Sequence, residues 1–125
     1  MEVIEVPGLP ANNTTYSQAV RMGGLLYLSG QLGMVPGAGV LVEGGIQAQT
    51  RQAIENLRTI LEAAGSSLQR VGKVNIYLTD FRLLPEMNLV YAQFFPQRPA
   101  KTTVEVGALD RGALIEIEVV AEPGS

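Results

Sequence analysis

The side chains that most often move protons or hold metals in enzymes are missing from this chain. It contains no cysteine and no histidine among its 125 residues. Thiol catalysis, disulfides, thiolate metal sites, serine-protease-type triads and histidine-based zinc sites are therefore excluded.

The sequence predicts a strand that carries Glu116. The segment 113–121 alternates as a strand does, and Glu116 shares a face with Leu114, Glu118 and Val120. A carboxylate on a partly apolar face can have its pKa raised towards the working range of a general base. Alternation alone allows a solvent-facing glutamate on an edge strand equally well. Glu118, on the same face, is the second candidate.

The charge pattern argues against nucleic acid as a partner, and the lengths of the apolar runs argue against a membrane span. The net charge is -3 and the pI is about 4.9, and the nine basic residues are scattered without a basic stripe. No apolar run reaches the length of a membrane span. Residues 1–10 carry Glu2 and Glu5 and no basic segment, so no signal peptide is predicted. We expect a cytoplasmic protein.

The residue pattern predicts one domain, 1–125, of the α+β class. Apolar residues recur at three- and four-residue spacing from 46 to 64, which predicts a helix that Gly65 stops. A second helix is predicted over 85–94, and the glycine-rich stretch 32–45 is predicted to be a loop. Strands are predicted at 3–6, 16–21, 25–29, 71–79, 101–106 and 113–121. The order β-β-β-α-β-α-β-β indicates a mixed six-stranded sheet with both helices on one face.

Some predicted strands are apolar on both faces. Leu25 and Tyr27 oppose Leu26 and Leu28 along the segment 25–29. Two helices cover only one face of the sheet, so the other would expose a large apolar patch, which is rare in monomers. We infer that another subunit covers it. The alternative is a twisted sheet with scattered surface leucines, which are ordinary in soluble proteins.

The sequence resembles the YjgF/RidA (L-PSP) family of imine deaminases along nearly its whole length and in the right order. The resemblance rests on segments at both ends of the chain and on the two helices between them. These segments are Tyr16–Val20, Leu28–Gln31, Gln49–Leu57, Leu61–Gly65, Asn88–Phe95, Pro99–Val106 and Gly112–Glu118.

The resemblance implies a fold, an assembly and a reaction. The fold is chorismate-mutase-like, and the assembly is a homotrimer whose sheets form a central barrel, with a ligand cleft at each subunit interface. The reaction is hydrolysis of enamines and imines to 2-oxo acids and ammonia, without metal or organic cofactor. The implied partner is thus a small imino acid or 2-oxo acid. Members of the family have also been described as single-strand endoribonucleases and translation inhibitors.

The resemblance also implies site residues. Glu116 aligns with the carboxylate that activates the water, and Lys101 stands where the family has an arginine that holds the substrate carboxylate. Lysine is a mobile point charge without the planar fork of arginine. The less favoured alternative is that Lys101 points to solvent at a strand edge, and Arg98, three residues earlier, is the substitute for its role. The remaining implied site residues are Tyr16, Ser29, Gly30, Asn88 and Thr103.

The loop before Tyr16 also departs from the family, because Thr14 and Thr15 stand where Gly-Pro is usual.

The sequence therefore leaves three functions open. The first is an imine deaminase, the second a trimer that binds small carboxylates without turnover, and the third an endoribonuclease. The third ranks last, because the chain is acidic and lacks histidine.

Overall fold

The computed structural model describes residues 1–9 and 15–124. Its strands are β1 (Glu2–Ile4), β2 (Ala19–Met22), β3 (Leu25–Gln31), β4 (Val71–Leu78), β5 (Ala100–Glu105) and β6 (Ile115–Ala121). These six strands form one sheet in the order β1-β2-β3-β6-β4-β5. The pair β4–β5 is parallel and the other pairs are antiparallel, so the sheet is mixed and β5 lies at its edge.

Two α-helices cover one face of this sheet. Helix α1 (Gly45–Ala63) and helix α2 (Leu84–Phe94) lie within a residue of their predicted bounds. Short 3-10 helices occur at Leu68–Arg70, Phe81–Leu83 and Asp110–Gly112. The apolar stripe of α1 packs on the sheet because its leucines and isoleucines recur on one side. The α+β class, the mixed sheet and the element order are therefore confirmed.

The core lies between the helices and one face of the sheet. Helix α1 packs against β3 and β6, and α2 packs against α1. Side chains from both helices and from the inward face of the strands form one apolar cluster. Its fully buried members include Leu26, Ile54, Leu57, Leu61, Ile76, Met87, Ile115 and Ile117.

Several predicted strand bounds were wrong, and a buried side chain explains the largest error. Strand β2 begins at Ala19 instead of Tyr16, and β1 ends at Ile4. Between them, the amide of Gln18 accepts from Val6 N–H at 2.6 Å and donates to the carbonyls of Val6 and Leu9. The Gln18 side chain thus forms the hydrogen bonds with these backbone groups that a neighbouring strand would otherwise form.

The other bounds differ by smaller amounts. Strand β6 begins at Ile115 instead of residue 113, because the N–H of Leu114 donates to the side chain of Gln49 at 2.9 Å. Strand β3 runs to Gln31, two residues past its prediction, with an irregular register after Leu28. Both shifts occur next to residues that were predicted to form the site.

The face of the sheet opposite the helices, here called the open face, carries an apolar row. Register places Val3, Val20, Tyr27 and Val120 side by side across β1, β2, β3 and β6. Val3 is 50% exposed and Tyr27 is 39% exposed in the single chain. The predicted two-sided apolar character of these strands is therefore confirmed.

Candidate functional site

Glu116 lies on the open face, near the start of β6. Its neighbours along the strand, Ile115 and Ile117, point into the core, so strand alternation directs its carboxylate to the opposite side. The side chain is half-buried. Burial raises the pKa of the Glu116 carboxyl above its usual value, and the nearby carboxylates of Glu118 and Asp110 raise it further. A carboxylate in this environment is suited to accept a proton.

Gly30 on β3 provides the space that the Glu116 side chain occupies. A methyl group at Gly30 would lie 2.8 Å from Cδ and Oε2 of Glu116 and 2.9 Å from Cγ. Only glycine therefore permits this approach of strand and carboxylate. Ser29, the preceding residue, donates its hydroxyl to the carbonyl of Ser17 at 2.6 Å, and its N–H donates to the carbonyl of Gln18.

Tyr77 and Glu118 form a pair beside Glu116. Tyr77 on β4 is the register partner of Glu116 on β6, but its hydroxyl donates to the carboxylate of Glu118. This hydrogen bond, together with burial and the two negative charges, raises the pKa of Tyr77 to about 12. The tyrosine therefore stays protonated in the physiological range. Sequence alternation placed Tyr77 on one face of its strand, but it gave no sign that β4 lies next to β6.

Lys101 lies on the other face of the sheet, on the edge strand β5. Its register partner is Val74, which is fully buried under the helices. The ammonium of Lys101 donates to Oδ1 of Asn88 on α2 at 3.2 Å and stands 4.4 Å from the centre of the Tyr91 ring. Two contacts from α2 thus hold the cation in one orientation, although the side chain is exposed.

Around Lys101 the structure gathers three further residues of interest. Tyr91, which was not predicted, is buried, and burial raises its pKa to about 12. Tyr91 lies three residues after Asn88 on the same side of α2, and this spacing is the sequence signal that could have identified it. Thr103 follows Lys101 on the same face, and its hydroxyl is buried without a partner among the described residues. Arg98 lines the same shallow cavity of about 340 Å³, together with Tyr91, Ala92, Phe95, Pro96, Pro99 and Lys101.

Tyr16 lies outside the strands and is 47% exposed. Thr15 is exposed as well. Thr14 falls outside the described residues, so the predicted change in this loop stays a prediction.

The predicted site residues therefore form two groups that one chain does not bring together. Glu116, Gly30 and Ser29 belong to the strands β6 and β3, and the Glu116 carboxylate lies on the open face. Lys101 and Asn88 lie on the helix side, two strands away, which is about 9–10 Å across the sheet.

The described part of the chain offers neither a metal cluster nor a membrane-spanning helix. No three acidic side chains in residues 1–9 and 15–124 cluster in a way that would hold a metal ion. None of the helices in these residues has the length and apolar character needed to cross a membrane.

Comparison with known proteins assigns the family. The model of the family described as "Endoribonuclease L-PSP" matches residues 8–123, so the chain belongs to this family. A RutC family protein of Pyrococcus horikoshii is 46% identical over 121 residues, which are 96% of each chain. The human protein named 2-iminobutanoate/2-iminopropanoate deaminase is 40% identical over 98% of this chain and 90% of its own.

A solved structure agrees with this assignment. RidA from an Antarctic Psychrobacter bacterium superimposes with a TM-score of 0.91 at 41% identity, covering 98% of this chain and 99% of that one. The resemblance stated from the sequence is confirmed. The family thus includes proteins named for imine deamination as well as for ribonuclease activity.

Proposed function

We propose that this protein hydrolyses 2-imino acids, and their enamine tautomers, to 2-oxo acids and ammonia. The observation that carries the proposal is the half-buried carboxylate of Glu116, which is set against Gly30 and whose pKa is raised by burial and then by the neighbouring carboxylate of Glu118. The names of the related deaminases support the same chemistry.

The proposed reaction needs one base and one anchor. Glu116 takes a proton from a water molecule as the water oxygen attacks the imine carbon. Glu116 passes this proton to the nitrogen. The carboxylate then accepts the hydroxyl proton of the tetrahedral intermediate as the carbon–oxygen double bond forms and the carbon–nitrogen bond breaks, which releases ammonia. One imino acid and one water give one 2-oxo acid and one ammonia. Lys101 holds the substrate carboxylate, so that the imine carbon is aimed at the water.

The opposite placement of the two groups supports a site shared between subunits. A second copy that set its β5 edge against the open face of the first would bring Lys101 to Glu116. Because the two surfaces differ, such a contact is heterologous, and its repetition around an axis closes a ring. We propose a trimer, in which three equivalent contacts close one ring and would cover the apolar row that contains Tyr27 in each subunit. Light scattering is expected to give three times 13.4 kDa.

Lysine in place of arginine affects this proposal less than the sequence alone indicates. The contacts with Asn88 and the Tyr91 ring restrict the ammonium, and so supply part of the orientation that a guanidinium fork would give. We still do not expect Lys101 to orient the substrate carboxylate as fully as the two-point contact of an arginine would. Replacement of Lys101 by arginine should therefore raise the rate.

The alternative is a trimer that binds small carboxylates without turnover, and Lys101 is the observation that favours it. Two measurements separate the alternatives. An amino-acid oxidase generates the imine in place, semicarbazide traps what remains, and titration with 2-oxobutanoate reports binding. Deamination predicts faster imine loss that Glu116→Gln removes without loss of binding. Binding alone predicts equal imine loss with the parent, with Glu116→Gln and with no protein.

A further inference from the structure

A second cation, Arg98, lies at the cavity that holds Lys101. Both side chains line this cavity, whose other walls are the Tyr91 and Phe95 rings, two prolines and an alanine. The described residues that form these walls include no carboxylate. Neither Arg98 nor Lys101 forms an ion pair within residues 1–9 and 15–124. The cavity thus combines an apolar floor with two uncompensated positive charges.

The backbone holds Arg98 in a conformation that few residues adopt. Its φ is 57°, in the left-handed region, although it is neither glycine nor asparagine and precedes Pro99. The N–H of Arg98 donates to the carbonyl of Phe95 at 3.1 Å, which closes a turn after α2. Strain of this kind persists where the surroundings impose it, and it is frequent at ligand sites. Here the turn keeps the base of the arginine at the cavity wall.

Two cations that line one cavity can each take an anionic group. Lys101 is fixed on the α2 side by Asn88 and Tyr91. Arg98 lies three residues earlier, so their Cα atoms are separated by up to about 10 Å. An arginine presents a planar fork that matches a carboxylate with two hydrogen bonds. A ligand with carboxylates at both ends of a short chain would occupy both cations and cover the apolar floor between them.

We propose that Arg98 binds a second carboxylate, so that the site prefers dicarboxylic 2-imino and 2-oxo acids over monocarboxylic ones. This inference rests on the proposed function, in which Lys101 holds the carboxylate next to the imine. Arg98 would then determine specificity through the far end of the substrate.

Titration calorimetry of the assembled protein with two non-reacting probes tests the proposal. We expect 2-oxoglutarate to bind about tenfold more tightly than 2-oxobutanoate, as a charge-assisted contact provides. Arg98→Gln should bring the ratio of the two dissociation constants close to one, and Arg98→Glu should reverse it. Arg82→Gln is the matched control, because Arg82 is exposed, paired with Asp80 and absent from the cavity lining. It should leave the ratio unchanged.

Three results would overturn the proposal: equal affinity of the parent for both probes, equal weakening of both by Arg98→Gln, or no change in that variant. Equal weakening would mean that Arg98 and Lys101 share one carboxylate. Failure of the proposed function looks different. In that case Lys101→Gln would bind both probes as tightly as the parent does, whatever the ratio between them.

Discussion

Replacement of Gly30 by alanine should disable the site without disturbing the fold. The added methyl would lie 2.8 Å from Cδ of Glu116, whereas ordinary carbon contacts are about 3.5–4.0 Å. The carboxylate must therefore retreat by about 0.7–1.2 Å. It is the end of a flexible side chain, so it can move while the strands stay in place.

The expected effect on the rate follows from that displacement. A shift of about 1 Å in a reacting group can lower the rate by about 10²-fold. We expect Gly30→Ala to lower kcat for imine hydrolysis by about 10- to 100-fold in the oxidase-coupled semicarbazide assay. Binding of 2-oxobutanoate should change little, because the proposed carboxylate ligand belongs to the other group of site residues.

Gly72→Ala is the matched control for this substitution. Gly72 also lies in a strand, β4, but no heavy atom lies within 4 Å of the position that its methyl would take. The control should keep kcat within about twofold, since nothing near Glu116 moves. A Gly30→Ala protein with the parent's kcat would refute the role given to the Glu116 carboxylate. So would an equal loss in the two variants.

Three further predictions follow from the electrostatics and composition. Imine hydrolysis should fall as the pH drops through the raised pKa of Glu116. Glu118→Gln should move the midpoint of the pH–rate profile to lower pH, because it removes one of the charges that raise the pKa of Glu116. A midpoint that is unmoved or higher would contradict this. Glu116→Gln should raise Tm at pH 7, because a carboxylate whose pKa is higher in the folded state destabilises the fold when ionised. That gain should vanish as the pH falls below the ordinary glutamate pKa, and differential scanning calorimetry would expose a gain that persists there. Pure protein should not cleave single-stranded RNA; cleavage that survives repurification and is lost in Glu116→Ala would prove otherwise.

The sequence predicted the element types well, because hydrophobic periodicity is a local property. The spacing of Ile54, Leu57 and Leu61 identified α1, and the alternation around Ile76 identified β4. The bounds failed where a distant side chain satisfied the backbone. Gln18 and Gln49 accept N–H groups of Val6 and Leu114, and no local pattern reveals such partners.

The arrangement of the site residues was harder to predict from the sequence than their identity. Strand order brings Tyr77 beside Glu116 and Gly30 against it, and this order depends on pairings between segments far apart in the chain. The resemblance supplied Lys101 and Glu116 as candidates. That they lie on opposite faces of the sheet follows only from the register of β5 on β4 and of β4 on β6.

Subunit complementation tests the shared site most directly. Glu116→Gln and Lys101→Gln proteins should each hydrolyse imines poorly. The two are then co-expressed in equal amounts and purified together, without separating the trimers by composition. If each site takes Glu116 from one subunit and Lys101 from its neighbour, random mixing leaves about one site in four intact. We expect about a quarter of the parent's rate. A mixture no more active than the separate variants would contradict a site built from two copies.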